Sequence, residues 1–176
     1  RLVDHVRTTR PDAIIVLTAD HGEAFGEHGG AYHGTSLYDE QLRVPLLVAA
    51  PDLAAYREQR PVSTVDLGAM VESLFDIRSL AGHGPEAPSL ALPVPEGPVF
   101  AELGALKAVV VGPYKAICDF WAASCRLHDT AQDPGERLNL APKRPRTLAT
   151  MRRLIYRWAG QDPASVARAP WRPSPK

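Results

Sequence analysis

The 176 residues hold only two cysteines and two methionines, no apolar run long enough to cross a membrane, and no surplus charge, since 20 Lys and Arg balance 20 Asp and Glu. Each scarcity excludes something. Without a basic surplus nothing points to nucleic acid, and no nucleic-acid partner is expected. Neither Cys118 nor Cys125 has a His or a further Cys at ligand spacing, which rules out a zinc ribbon. Seven residues apart in a segment that reads as strands, the two admit a disulfide across a hairpin. Two buried thiols are nevertheless the expectation. No internal repeat is present. An initiator methionine is also missing: the chain opens on Arg1, and Leu2-Val3-Asp4-His5-Val6 reads as a helix already under way. A segment of a longer protein is therefore expected, and the missing signal peptide leaves the compartment open.

What is present suits an α/β chain, with 45% hydrophobic residues to build a core. After the breaker Pro11-Asp12, the run Ala13-Ile14-Ile15-Val16-Leu17-Thr18 predicts a strand buried on both faces, as in parallel sheets under helices. His21 to Gly34 holds five glycines and three histidines and reads as a loop. Ser36-x-x-Asp39 predicts a capping box opening a short helix through Leu42, and Val44–Ala50 a second strand. Ser63-x-x-Asp66 caps a helix with the apolar stripe Leu67, Met70, Val71, Leu74, Phe75. Residues 81–98, with five prolines and three glycines, read as a linker. Val99–Leu103, Ala108–Val111 and Tyr114–Phe120 predict a small antiparallel sheet, and Asp133-Pro134-Gly135-Glu136 a tight turn. A last helix carries Leu148, Met151, Leu154, Ile155 and Trp158, with Pro145 at its start and Gly160 as its stop. The expected organisation is thus 1–80 as the end of a large mixed sheet flanked by helices, with a site loop at 18–34. The linker follows, then an antiparallel subdomain with a C-terminal helix at 99–160, and a flexible tail at 161–176.

The chemistry concentrates in Thr18-Ala19-Asp20-His21-Gly22-Glu23. Polar residues just past the carboxyl end of a buried strand stand where open α/β sheets place their sites. A carboxylate beside an imidazole can serve one divalent ion, with Gly22 letting the backbone turn sharply. From the residues alone a bland reading stands beside this one, in which Asp20 caps a turn and His21 is a polar loop residue. His28 and His33 in the same glycine-rich loop weigh toward a site, because an imidazole can move a proton near neutrality or, when charged, hold an oxyanion. His5, His83 and His128 are solitary and read as ordinary surface or half-buried residues. Trp121, Trp158 and Trp171 read as packing.

Several motifs in fixed order then carry a resemblance. Thr18-Ala19-Asp20-His21-Gly22-Glu23, Gly26-Glu27-His28-Gly29, His33-Gly34, Leu37-Tyr38-Asp39-Glu40 and Arg43-Val44-Pro45-Leu46-Leu47-Val48 together resemble the late active-site segment of the sulfatase family, in the alkaline phosphatase superfamily. Tyr114-Lys115, Leu127-His128-Asp129, Asp133-Pro134-Gly135-Glu136 and Asn139-Leu140-Ala141 resemble that family's C-terminal subdomain. The resemblance implies that Asp20 and His21 are metal ligands for Ca, Mn or Mg, in the Asp-His form similar to bacterial members and to phosphonate monoester hydrolases. It implies that His33 stands where many members have a Lys that contacts the sulfate and protonates the leaving alcohol. His28 and Glu23 are equally open to a supporting role.

The family's formylglycine nucleophile arises in a Cys/Ser-x-Pro-x-Arg motif, and no such motif occurs in these residues. The resemblance therefore implies that an N-terminal part of the same enzyme supplies it, together with the remaining metal ligands. The expected function is the C-terminal portion of a metal-dependent sulfatase acting on a sulfate ester. The alternatives are a phosphodiesterase or phosphonate monoester hydrolase of the same superfamily, or a non-catalytic binding module. A strand such as Ala13–Thr18, written for neighbours on both edges, also predicts a homo-oligomer. Light scattering is expected to give a dimer or larger species, and a monomer at high concentration would refute this.

Overall fold

The computed structural model describes residues 1–51, 55, 57–74 and 97–160. Helix α1 (Leu2–Thr9) carries Asp4 in its first turn and Arg7 in its last, charges that suit the helix dipole, and it ends ahead of Pro11. The β-branched run gives β1 (Ile15–Thr18), followed by β2 (Ala24–Phe25), β3 (Ala31–Tyr32), α2 (Asp39–Leu42) and β4 (Leu46–Ala49). Ser63 Oγ accepts from the Val65 N–H at 3.4 Å, opening a 3-10 turn that runs into α3 (Leu67–Leu74), as the Ser-x-x-Asp spacing predicts. Met70 on α3 is buried. Then come β5 (Val99–Leu103), β6 (Leu106–Val111), β7 (Tyr114–Asp119), β8 (Ser124–Asp129) and α4 (Pro145–Trp158). Phe75, His83, Trp171, the tail and all but the last two residues of the expected linker lie outside the described residues.

The described residues of Arg1–Asp20 and Val44–Glu96 form one compact unit, and those of His21–Arg43 and Gly97–Lys176 another. In the first, β1 and β4 pair antiparallel, with Ile15 opposite Ala49 and Thr18 opposite Leu46. This corrects two expectations. The pairing is antiparallel, and the strands are not buried on both faces, because Leu17, Leu46 and Leu47 are exposed. A continuous apolar run demands cover for a strand but specifies neither its direction nor its partner. Among the described residues no third strand joins this pair.

The second unit is organised by a four-stranded antiparallel meander, β5-β6-β7-β8. Residues opposite one another on such a ladder share a face. Val109, Ala116, Leu127 and the Cys118–Cys125 pair therefore look one way, and Ala108, Ile117 and Arg126 the other. Met151 and Ile155 of α4 cover the first face and complete its core. Leu37 and Tyr38, just ahead of α2, cover the second with Ala108 and Ile117. Both faces are closed, so β7 is buried at four successive residues from Lys115 to Cys118. Pro145 sits at the start of α4, and Gly160 follows its end with a left-handed φ of 68°.

Two further expectations are corrected, and the predicted sheet gains a fourth strand. Ser124–Asp129 is a strand, which its polar composition hid. With it in place, Cys118 stands directly opposite Cys125 at a Cα–Cα distance of 4.1 Å, and the two are disulfide-bonded rather than reduced. Trp121, at the β7–β8 turn, is 81% exposed and does not pack. The outer edge of β8 is closed by the Asn139 motif: Asn139 Oδ1 accepts from the Leu127 N–H at 3.1 Å, and the Leu140 N–H donates to Leu127 O at 2.7 Å.

His128, expected to be ordinary, is enclosed on the second face opposite Lys115, with Tyr38 edge-on at 5.7 Å. Burial holds its ring below the usual histidine range; Lys115 and Arg126 push the same way, while the nearby Leu138 backbone and the Asp133 charge oppose them. A depressed folded value means that the unfolded chain takes up the proton first. The stability His128 provides is therefore present above about pH 6.5 and drains away as pH falls toward its lowered value. The expected slope is at most about 1.4 kcal/mol per pH unit. Thermal unfolding between pH 7.5 and 5 should show a shallower acid loss in His128→Leu than in the wild type, and equal slopes would refute this.

Candidate functional site

Asp20 closes the first unit two residues beyond β1, and His21 opens the second. Both are exposed. Immediately after them the backbone at Gly22 lies against α2: its N–H donates to Gln41 O at 2.8 Å, and a Cβ built there would run into the Glu40 carbonyl oxygen. The sequence reading assigned this glycine to a sharp turn, but the requirement is close approach, not an unusual φ. The loop is also more ordered than expected, since β2 and β3 pair as a short ribbon with Ala24 opposite Tyr32. Left-handed φ values at Gly26 (116°), His28 (52°), Tyr32 (68°) and Gly34 (72°) fold it back on itself. At its tip Glu27 Oε2 takes the Phe25 N–H at 2.6 Å; its own backbone N–H first, and that of Phe25 next, hold the carboxyl below the usual range.

That return brings two of the three predicted residues together. The rings of His21 and His33 stack with centroids 4.0 Å apart. His21 Nδ1 lies 2.8 Å from Gly22 O. A carbonyl only accepts, so this nitrogen carries the proton and the lone pair is left on Nε2, the form in which an imidazole ligates a metal. His33 Nδ1 lies 3.2 and 3.3 Å from the two Glu23 carboxylate oxygens. By the same reasoning its Nδ1 proton points at Glu23. The Glu23–His33 pair was not anticipated, although Glu23 stood in the same motif. The donor chemistry of Asp20 and His21 thus fits a divalent ion. Among the described residues, however, no group of three or more His, Cys, Asp or Glu could hold one unaided.

His28 is a support, as its motif position allowed. Its ring stacks on Tyr38 at 3.6 Å, and its nitrogens meet Glu40 Oε1 at 2.9 Å and Glu136 O at 3.3 Å. Tyr38 in turn accepts from Arg126 Nη1 at 2.6 Å. The expected Ser36 capping box does not form. The first N–H of α2, on Asp39, is taken at 2.6 Å by Glu136 Oε2, which arrives from 97 residues away on the Asp133-Pro134-Gly135-Glu136 turn. Burial pushes the Glu136 carboxyl upward, and the neighbouring Lys115 ammonium opposes that shift. Adding a methyl at Gly22 collides with backbone rather than with a side chain that could swing aside. Gly22→Ala should destabilise the loop by about 1–3 kcal/mol. In amide hydrogen exchange Leu42 and Arg43 should open about tenfold faster or more, while Ala116 keeps its protection. Unchanged exchange at Leu42 would contradict this close approach.

Residues 1–77 match the Sulfatase family model. The choline-sulfatase of Rhizobium meliloti (strain 1021) is 30% identical over 166 residues, covering 85% of this chain and 32% of that protein. A solved 2-O GAG sulfatase superposes with a TM-score of 0.65 over 93% of this chain and 42% of its own, at 26% identity. The phosphonate monoester hydrolase of Agrobacterium radiobacter shares the fold, with a TM-score of 0.64 at 18% identity over 91% of this chain and 38% of its own. The chain spans about a third of the length of its curated relatives, or less. Through the segment that holds Asp20, His21 and His33, the chain belongs to the sulfatase family.

Proposed function

We propose that these residues supply one half of a sulfate-ester hydrolase site: two metal ligands, Asp20 and His21, and a proton donor, His33. The observation that carries the reading is the stacked His21–His33 pair, in which each Nδ1 faces an oxygen acceptor. These contacts orient both rings through Nδ1. A divalent cation held by Asp20 and His21, with further ligands from outside these residues, would neutralise negative charge on the ester oxygens. His33, its ring fixed by Glu23 through Nδ1, acts as donor in its doubly protonated form: the Nε2 proton passes to the departing alcohol oxygen and leaves the ring neutral, with its remaining proton on Nδ1. Because no Cys/Ser-x-Pro-x-Arg motif occurs here, the attacking formylglycine belongs to residues outside this segment, and the 176 residues alone are expected not to turn over sulfate esters.

The fold shared with a phosphonate monoester hydrolase supports a second reading, in which the same groups serve a phosphorus ester. Rates on aryl sulfate and aryl phosphate esters separate the two. In an enzyme that contains this segment, Asp20→Ala or His21→Ala should cost roughly 10³-fold in kcat while leaving it folded, since both lie in a connection. His33→Ala should cost roughly 10²-fold, and more for esters of poorly leaving alcohols than for nitrophenyl esters. A loss independent of the leaving group would remove His33 from the donor role.

A further inference from the structure

Lys115 is the second residue of β7 and has no exposed side-chain surface. Its strand neighbour on the same face, Ile117, packs in an apolar cluster, so an aliphatic residue would continue the pattern. Instead the ammonium lies 2.7 Å from Asp39 Oδ1 and 3.0 and 3.1 Å from Glu136 Oε1 and Oε2. Both partners hold the candidate loop: Asp39 is the first residue of α2, whose end receives the Gly22 N–H, and Glu136 caps that helix. The Glu136 carbonyl also meets His28 Nε2 at 3.3 Å, in the middle of the loop.

A buried ion pair is a poor way to gain stability, because desolvation consumes most of the attraction and well-packed apolar groups often do as well or better. It is a good way to fix geometry, since an ammonium left without its carboxylates is strongly penalised. We propose that Lys115 is a positioning residue: from the C-terminal sheet it fixes, through Asp39 and Glu136, the segment on which His21 and His33 are stacked. Its functional meaning rests on the reading of His33 and His21 given above, but the geometry it predicts does not.

The test uses the whole chain and needs no activity. Lys115→Met alone would strand the Glu136 carboxylate, so the informative variant is Lys115→Met with Glu136→Gln, which removes both enclosed charges and keeps an oxygen to cap α2. Asp39 is partly exposed and remains solvated. Amide exchange at Ala116 and Leu127 should stay within about threefold of wild type. Exchange at Gly22, Leu42 and Arg43 should quicken about tenfold or more, as expected for loss of bonds to a charged donor. The nuclear Overhauser contact between the His21 and His33 rings should vanish with it. Retention of that contact and of loop protection overturns the proposal. Parallel loss of protection in sheet and loop overturns it too, because Lys115 would then hold the sheet rather than the loop. Failure of the sulfatase reading would appear only in turnover assays and would leave these outcomes unchanged.

Discussion

Within the second unit, the seat of the loop on the sheet depends on one enclosed ammonium. Lys115 sits where a sheet would ordinarily continue its apolar face, and its cost in desolvation is offset only because two carboxylates from different parts of the chain meet there. Glu136 is brought in by a tight turn that Asp133 stabilises, with Asp133 Oδ2 accepting from the Leu138 N–H at 2.8 Å. Asp39 arrives from the opposite direction, at the start of a one-turn helix too short to persist unaided. Once the three groups are in place, Tyr38 and Leu37 are pressed onto Ala108 and Ile117, and His28 is held between Glu40 and the Glu136 carbonyl.

The two faces of the meander are closed by different means. Against α4 the contact is aliphatic and aromatic: Met151 and Ile155 on Val109, Ala116 and Leu127, with Phe100 stacked on Trp158 at 4.9 Å. Against the loop it is mixed, with charged and hydrogen-bonded groups set among a few apolar ones. A face sealed by polar pairs specifies one docking geometry closely, whereas an apolar face tolerates repacking. That difference suits a helix whose task is burial and a loop whose side chains must point in defined directions.

The same difference decides what could be read from the residues. β5, β6, β7 and α4 announce themselves locally, through turn glycines at Gly104 and Gly112, a 3.6-residue stripe, and proline and glycine at the helix ends. β8 does not, because Ser124-Cys125-Arg126-Leu127-His128 alternates but holds only two apolar residues and no β-branched or aromatic one. Without β8 as a defined strand, the hairpin disulfide between Cys118 and Cys125 stood only as the lesser alternative to two thiols. Asp20, His21 and His33 were legible as motif residues. The His21–His33 stack was not, since it depends on left-handed backbone at Tyr32 and Gly34 and on a ribbon of only two residues per strand. The capping of α2 was misread for a related reason: Ser36 is near in sequence, but Glu136 is near in space.

The span of that last contact sets the order in which the unit can be built. Each hairpin of the meander closes over a few residues and costs little chain entropy, whereas Lys115 must find Asp39 across 76 residues and His28 must find Glu136 across 108. Contacts of such separation are rewarded only after the surface that receives them exists. Folding of this unit therefore proceeds from the sheet outward, and the two stacked histidines are set in place last.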